Sequence, residues 1–203
     1  MKRSDQTAAN KPVSELDTAE LVESCLAGNG HAWEELLDRY QRLIYSIPIQ
    51  AGMSHADAAE VFQAVSIRLI RKLSTLREQH KLAKWIITTT TRECWRLARR
   101  SRRQKATAVG NDPEQSYDLN EIAAALPLPD EQQEALEEQQ IVRQAVDRLP
   151  DKCRALITLL FLNPDEPSYE DVAREIGIPQ SSIGPTRARC LEKLRELLGD
   201  SFR

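Results

Sequence analysis

The chain has 203 residues, 41% of them hydrophobic and 29% charged, a globular balance with room for one ordinary domain or two small ones. Seven Gly and three Phe are few for a strand-rich fold. No apolar run approaches the roughly 20 residues of a membrane span, and residues 1–12 are polar where a signal peptide is apolar, so the expectation is a soluble, helical, cytoplasmic protein.

The net charge of −3 argues against a protein that coats nucleic acid, but the charge is unevenly spread. Arg92, Arg96, Arg99, Arg100, Arg102, Arg103 and Lys105 crowd one short stretch against a single acid, Glu93. From Ala106 to Glu138 the chain carries acids and no Lys or Arg. A basic helix therefore sits beside an acidic tether. Cys25, Cys94, Cys153 and Cys190 have no paired spacing, and His31, His55 and His80 are scattered. That pattern indicates neither a zinc site nor a disulfide framework; reduced, partly buried thiols and no metal or cofactor are expected.

In chain order, residues 1–16 read as a mobile tail. Helical periodicity begins near Asp17, pauses at Gly28-Asn29-Gly30, and resumes with Trp33, Leu36, Leu37, Tyr40, Ile44 and Ile47 at spacings of three and four. Ser54 with Asp57 is a capping-box pattern opening a third helix, whose inner face carries Ala58, Val61, Phe62, Val65 and Leu69. Its outward face carries Glu60, Gln63, Ser66, Ile67, Ile70 and Arg71, and isoleucines rimmed by polar residues suggest a protein partner. A fourth helix, from about Lys81 to Arg103, completes an N-terminal domain over 17–105. Residues 106–130, with Gly110-Asn111-Asp112-Pro113 and Pro127-Leu128-Pro129, have loop chemistry and read as an acidic linker. Residues 131–203 form a second domain with helical patterns at Glu131 to Leu149, Asp151 to Leu162, Tyr169 to Ile176 and Ser182 to Leu198. The fold class is all-α: two small helical domains, the second a four-helix unit containing a helix-turn-helix.

Two segments carry nucleic-acid chemistry. At 100° per residue the fourth helix places Ala83, Ile86, Ile87, Thr90, Cys94, Leu97 and Ala98 on one side. Trp85, Thr88, Arg92, Arg96, Arg99 and Arg103 fall on the other. Guanidinium groups hold phosphates and an indole stacks on or wedges beside a base, so this stripe suits a nucleic-acid strand. The competing reading is a solvated arginine face with Trp85 capping the core. Between Ser168 and Leu198 lies a helix-turn-helix pattern: a Ser168/Asp171 cap, small Ala173, Gly177 at a tight turn, and Ile176, Ile178 and Ile183 in the angle. With Ser182 as N-cap and Pro185 in the first turn, Ser182, Thr186, Arg189 and Lys193 face outward and Arg187 lies at the edge. A helical hairpin with no nucleic-acid role is the alternative.

Asp57-Ala58-Ala59-Glu60-Val61-Phe62-Gln63, Lys84-Trp85-Ile86 with Arg92 to Arg103, and Leu149-Pro150 followed by Ser168-Tyr169-Glu170-Asp171-Val172-Ala173 together resemble the extracytoplasmic-function (ECF) sigma factors, a group of the sigma-70 family. The resemblance covers about Asp17 to Leu198 apart from the linker. It implies a non-enzymatic subunit that gives promoter recognition and DNA melting to RNA polymerase. The first domain docks on the clamp coiled coil of core polymerase through the third helix, at Glu60 and Gln63, and the outward Ile67 and Ile70 of the same face join them as expected polymerase contacts. The Trp85 helix opens the downstream promoter element, and the helix-turn-helix reads the upstream element in promoter DNA. The acidic linker threads toward the polymerase cleft, and an anti-sigma factor is the implied inhibitor. A stand-alone helix-turn-helix regulator is the alternative function; it leaves the basic, aromatic-headed fourth helix unexplained. With no Gly-rich phosphate loop and no clustered ligands, an enzyme is not expected.

Overall fold

The computed structural model describes residues 12–76, 81–107, 128, 130–165 and 167–199, with side chains of 102–107 excepted. Among these residues there is no strand, and eight α-helices follow in order: α1 Thr18–Leu26, α2 Gly30–Gln50, α3 His55–Lys72, α4 Leu82–Thr107, α5 Asp130–Asp147, α6 Asp151–Ile157, α7 Tyr169–Ile176 and α8 Ile183–Leu198. The chain divides into two compact units, Met1–Glu137 and Glu138–Arg203. Most of the expected 106–130 linker and the first eleven residues of the expected tail lie outside the described residues.

In the first unit α1, α2 and α3 each begin where the sequence supplies a cap. Asp17 and Glu20 exchange backbone N–H bonds at 2.8 Å in a reciprocal box that starts α1. Asn29 accepts from His31 and Ala32 to start α2, after Gly28 turns the chain at φ +88°. Ser54 Oγ accepts the Asp57 N–H and donates to the Asp57 carboxylate, which starts α3. Ahead of α1, a 3₁₀ turn over Val13–Glu15 packs Val13 and Leu16 on the core. Arg39 fixes this entry turn by donating to the carbonyls of Leu16 and Ser14 and to Glu35.

The apolar stripes meet in one core. Leu21 from α1, Leu36, Ile44 and Ile47 from α2, Val65 and Leu69 from α3, and Ile86 and Ile87 from α4 are almost completely buried. Phe62 is half-buried and stacks obliquely on Tyr45 with ring centroids 5.3 Å apart. Ser66 does not face outward as expected; it is buried, and its hydroxyl donates to the Phe62 carbonyl at 2.8 Å, which makes a polar side chain acceptable there. Leu128 and Leu136 belong to this core as well.

The second unit has a smaller core of Val146, Leu149, Leu156, Ile157, Val172, Ala173 and Ile183. The expected helix over 151–162 ends its α-helical part at Ile157 and finishes as a π turn, Thr158–Leu162, which leaves Phe161 and Leu162 about half exposed. Cys153 and Cys190, expected as reduced thiols, are joined in a disulfide between α6 and α8. A sequence separation of 37 hides the pairing; packing of the two helices brings the Cα atoms to 5.2 Å, within bridging range. Cys25 and Cys94 are free and buried, as expected of thiols, and burial pushes their pKa up to about 11 and about 12.

Candidate nucleic-acid interface

The sorting of side chains around α4 decides the first interface. Ile86, Ile87, Thr90, Cys94, Leu97 and Ala98 are buried as their spacing requires. Thr89 and Thr91 are buried too, and the hydroxyls of Thr90 and Thr91 donate to the carbonyls of Ile86 and Ile87. The four-threonine run thus adds polar atoms to a packed helix without leaving those donors unmet. Trp85 is half-buried against the core, and its exposed side fronts two concavities. One, of about 440 Å³, is shared with Thr75, Leu76, Lys81, Lys84, Thr88 and Arg92. The other, of about 850 Å³, runs between α3 and α4.

The expected stripe is brought together in part. Trp85, Arg92 and Arg96 line the larger groove; Thr88 lines the smaller one, its hydroxyl donating to the Lys84 carbonyl. Arg99 is exposed and lies over the Trp95 ring at 5.9 Å from its centroid, a cation–π contact. The Arg103 side chain lies outside the described residues.

Sequence reasoning missed the contribution of α3: Arg68, Arg71 and Lys72 line the same groove as Trp85. It also missed Glu93, which is 3% exposed beneath them. Glu93 accepts from Arg68 Nε at 2.5 Å and from Arg96 Nε at 2.6 Å. A signal for Glu93 was present, since Ile86, Thr90, Glu93 and Leu97 follow the helical repeat that marks the buried side.

On α3, Ile67 and Ile70 are 49% and 55% exposed and Gln63 is exposed, as expected of an outward face. Glu60 is half-buried and pairs with Arg100 Nη2 at 2.7 Å. Arg100 therefore stands on the Glu60 side of α4, apart from the stripe headed by Trp85.

In the second unit, Ser168 Oγ caps α7 by accepting the Asp171 N–H and donating to its carboxylate at 2.6 Å. That hydroxyl bond, with Arg174 nearby, holds the Asp171 carboxyl below its usual value. Gly177 ends α7 in the left-handed region at φ +71°, and Ile178 re-enters the core beside Ile176. Ser182 stands at the N-cap position, but its backbone is helical and its side chain makes no cap bond, because a 3₁₀ turn over Gln180–Ser182 leads directly into α8. Ser182 and Thr186 are half-buried, while Arg189 and Lys193 are exposed. Arg187 donates to the Tyr169 hydroxyl at 2.7 Å, which ties the edge of α8 to the start of α7.

A family profile for Sigma-70 region 2 matches residues 36–104, the stretch that contains α3 and most of α4. The chain is 26% identical over 180 residues to the ECF RNA polymerase sigma-E factor of Haemophilus influenzae, covering 88% of this chain and 91% of that one. It is 25% identical to the ECF RNA polymerase sigma factor SigW of Bacillus subtilis, with 85% and 92% covered. It is 23% identical to the ECF RNA polymerase sigma factor SigM of Mycobacterium tuberculosis, with 91% and 86% covered. A solved chain from the RsbN-BldN complex aligns over 87% of this chain at 20% identity and a TM-score of 0.32. Residues 36–104 thus match Sigma-70 region 2, and over most of its length the chain is similar to ECF RNA polymerase sigma factors.

Proposed function

We propose that this chain is a sigma factor that divides its labour between two helices, α4 opening promoter DNA and α8 locating it, with α3 attaching the chain to core RNA polymerase. The observation that carries this reading is Trp85 at the junction of two concavities, with an exposed ring side and Arg92 within reach of both. An indole in that place offers a stacking platform to an unpaired base, and the guanidinium beside it holds the neighbouring phosphate. Arg189 and Lys193 on the exposed side of α8, with Thr186 and Ser182 nearer the helix start, suit the major groove of a duplex. Glu60, Gln63, Ile67 and Ile70 form the docking face, apolar at its centre and polar around it.

The chain works where polymerase and genome are, in the cytoplasm, and no helix among the described residues is long and apolar enough to cross a membrane. Its role is non-enzymatic. An anti-sigma factor as a further partner is supported by the family resemblance. The test is transcription with purified core polymerase and genomic DNA fragments. Defined start sites that depend on both components support the reading; tight, sequence-specific binding by the free chain, unchanged by polymerase, overturns it in favour of a stand-alone regulator.

A further inference from the structure

Glu93 is a buried carboxylate whose two partners are both half exposed: the side chains of Arg68 and Arg96 are 53% and 49% accessible. A pair that served only to join α3 to α4 would need one arginine. Here each carboxylate oxygen takes one Nε, from one helix each, so the terminal Nη groups of both guanidiniums are left at the surface. That surface is the groove of about 850 Å³, where Arg71, Lys72 and Arg92 add three cations and Ile67, Ala64 and Trp85 add apolar wall. Glu93 is the sole acid among the described residues that line it, against five cations, so this lining is strongly cationic. Its charge suits a polyanion, and its apolar wall with one indole suits the bases of an unpaired strand.

We propose that Glu93 is the positioning residue of this groove, fixing Arg68 and Arg96 so that α3 as well as α4 holds the phosphates of a single strand. The inference rests on the strand-opening role of α4 and adds Arg68, Arg71 and Lys72 to it. Long arginine side chains lose rotamer freedom when they bind; two that are already clamped have lost most of it beforehand.

The test exploits an opposition of sign. By Coulomb attraction alone, Glu93→Gln removes a negative charge from a cationic groove and tightens binding to a polyanion. If Glu93 positions the arginines, the same variant weakens it roughly tenfold, since both side chains must then be ordered at binding. The full-length chain is titrated with a fluorescent oligothymidylate and with a duplex of equal length across a salt series, and melting is followed by circular dichroism. Glu93→Gln is expected to weaken oligothymidylate binding and to flatten its salt dependence by roughly one unit of log–log slope, as phosphate contacts are lost. If the variant fails to fold, Arg68→Lys with Arg96→Lys keeps every charge and removes the two Nε clamps; the same weakening is expected. Tighter or unchanged binding in the folded Glu93→Gln chain, or full binding by the double lysine chain, overturns the proposal. So does a loss of core-polymerase affinity with strand binding intact, which would make the groove a protein contact. A wild-type chain that does not prefer the single strand brings down the strand-opening reading itself, whereas a wild-type preference that Glu93→Gln leaves untouched brings down the positioning role alone.

Discussion

The two helices assigned to nucleic acid, α4 and α8, are held by opposite means. Helix α4 is sunk into the core of the first unit: aliphatic side chains, three threonines, a thiol and even a carboxylate are buried along it, and a narrow strip reaches solvent. Helix α8 lies on a small core, with Ile183 and Cys190 as its two buried side chains and most of its remaining residues open to water. The difference matches the work proposed for each. Opening a duplex requires groups that keep their geometry against a resisting substrate, and deep packing supplies that rigidity. Reading a groove requires a broad exposed face, which leaves little surface for anchoring, and the Cys153–Cys190 bond supplies the missing constraint.

Reduction of that bond is the largest expected effect and the most direct way to break the comparison. Opening a cross-link that spans 37 residues restores loop entropy to the unfolded chain worth roughly 4 kcal/mol. A thiol reductant should therefore lower the unfolding midpoint of the second unit and leave that of the first unchanged, since Cys25 and Cys94 are not bridged. Urea unfolding with and without reductant, followed by hydrogen exchange on α6, α8 and α2, checks this. Equal shifts in both units would show that α8 does not depend on its cross-link.

Next in size are losses of nucleic-acid contacts. Trp85→Ala removes a stacking platform worth roughly 1 to 3 kcal/mol and should impair strand opening more than initial capture, so a premelted template restores activity. Arg189→Ala removes an exposed contact of α8, worth roughly 1 to 3 kcal/mol if it bonds a base edge in two places, and premelting should not restore it. The measurement is binding and open-complex yield on duplex and bubble templates with core polymerase. Equal rescue of both variants, or of neither, would remove the division of labour. Gly177→Ala is smaller and purely conformational. The site has open space for a Cβ but a φ of +71°, so a loss of roughly 1 to 2 kcal/mol should appear in the stability of the second unit and not in the first.

How much of this was legible depended on whether the signal was local. Caps and turns were, because Ser54, Ser168 and Gly177 act on backbone groups a few residues away. The two sides of α4 were also readable, since a single period sorts them. Ser182 misled because its cap role depends on backbone conformation, which the preceding 3₁₀ turn changes. The cross-link and the groove were not legible, because each joins residues from two helices: Cys153 with Cys190, and Arg68 with Glu93. Glu93 lay between, placed by period on the buried side but explained only by its partner on α3.

The smallest expected effect on stability separates docking from stapling on α3. Glu60 reaches Arg100 at 2.7 Å, but both side chains are more than a third exposed, so this pair is worth roughly 0.2 to 1 kcal/mol. Glu60→Lys should accordingly lower the melting temperature of the first unit very little. On the docking face, by contrast, the same substitution reverses a charge beside Gln63 and near the exposed Ile67 and Ile70, where a partner surface is proposed to seat. Affinity for core polymerase should fall, with the loss greatest at low salt and most of it in the association rate, as for a charge at the rim of an interface. Arg100→Ala is the control, because it breaks the same ion pair and leaves the Glu60 carboxylate in place; polymerase affinity should hold or rise. Anisotropy titrations at two ionic strengths, with thermal melts of each variant, read both quantities. If Glu60→Lys and Arg100→Ala lose the same stability and the same affinity, the pair is only a link between α3 and α4, and the docking face must be sought elsewhere.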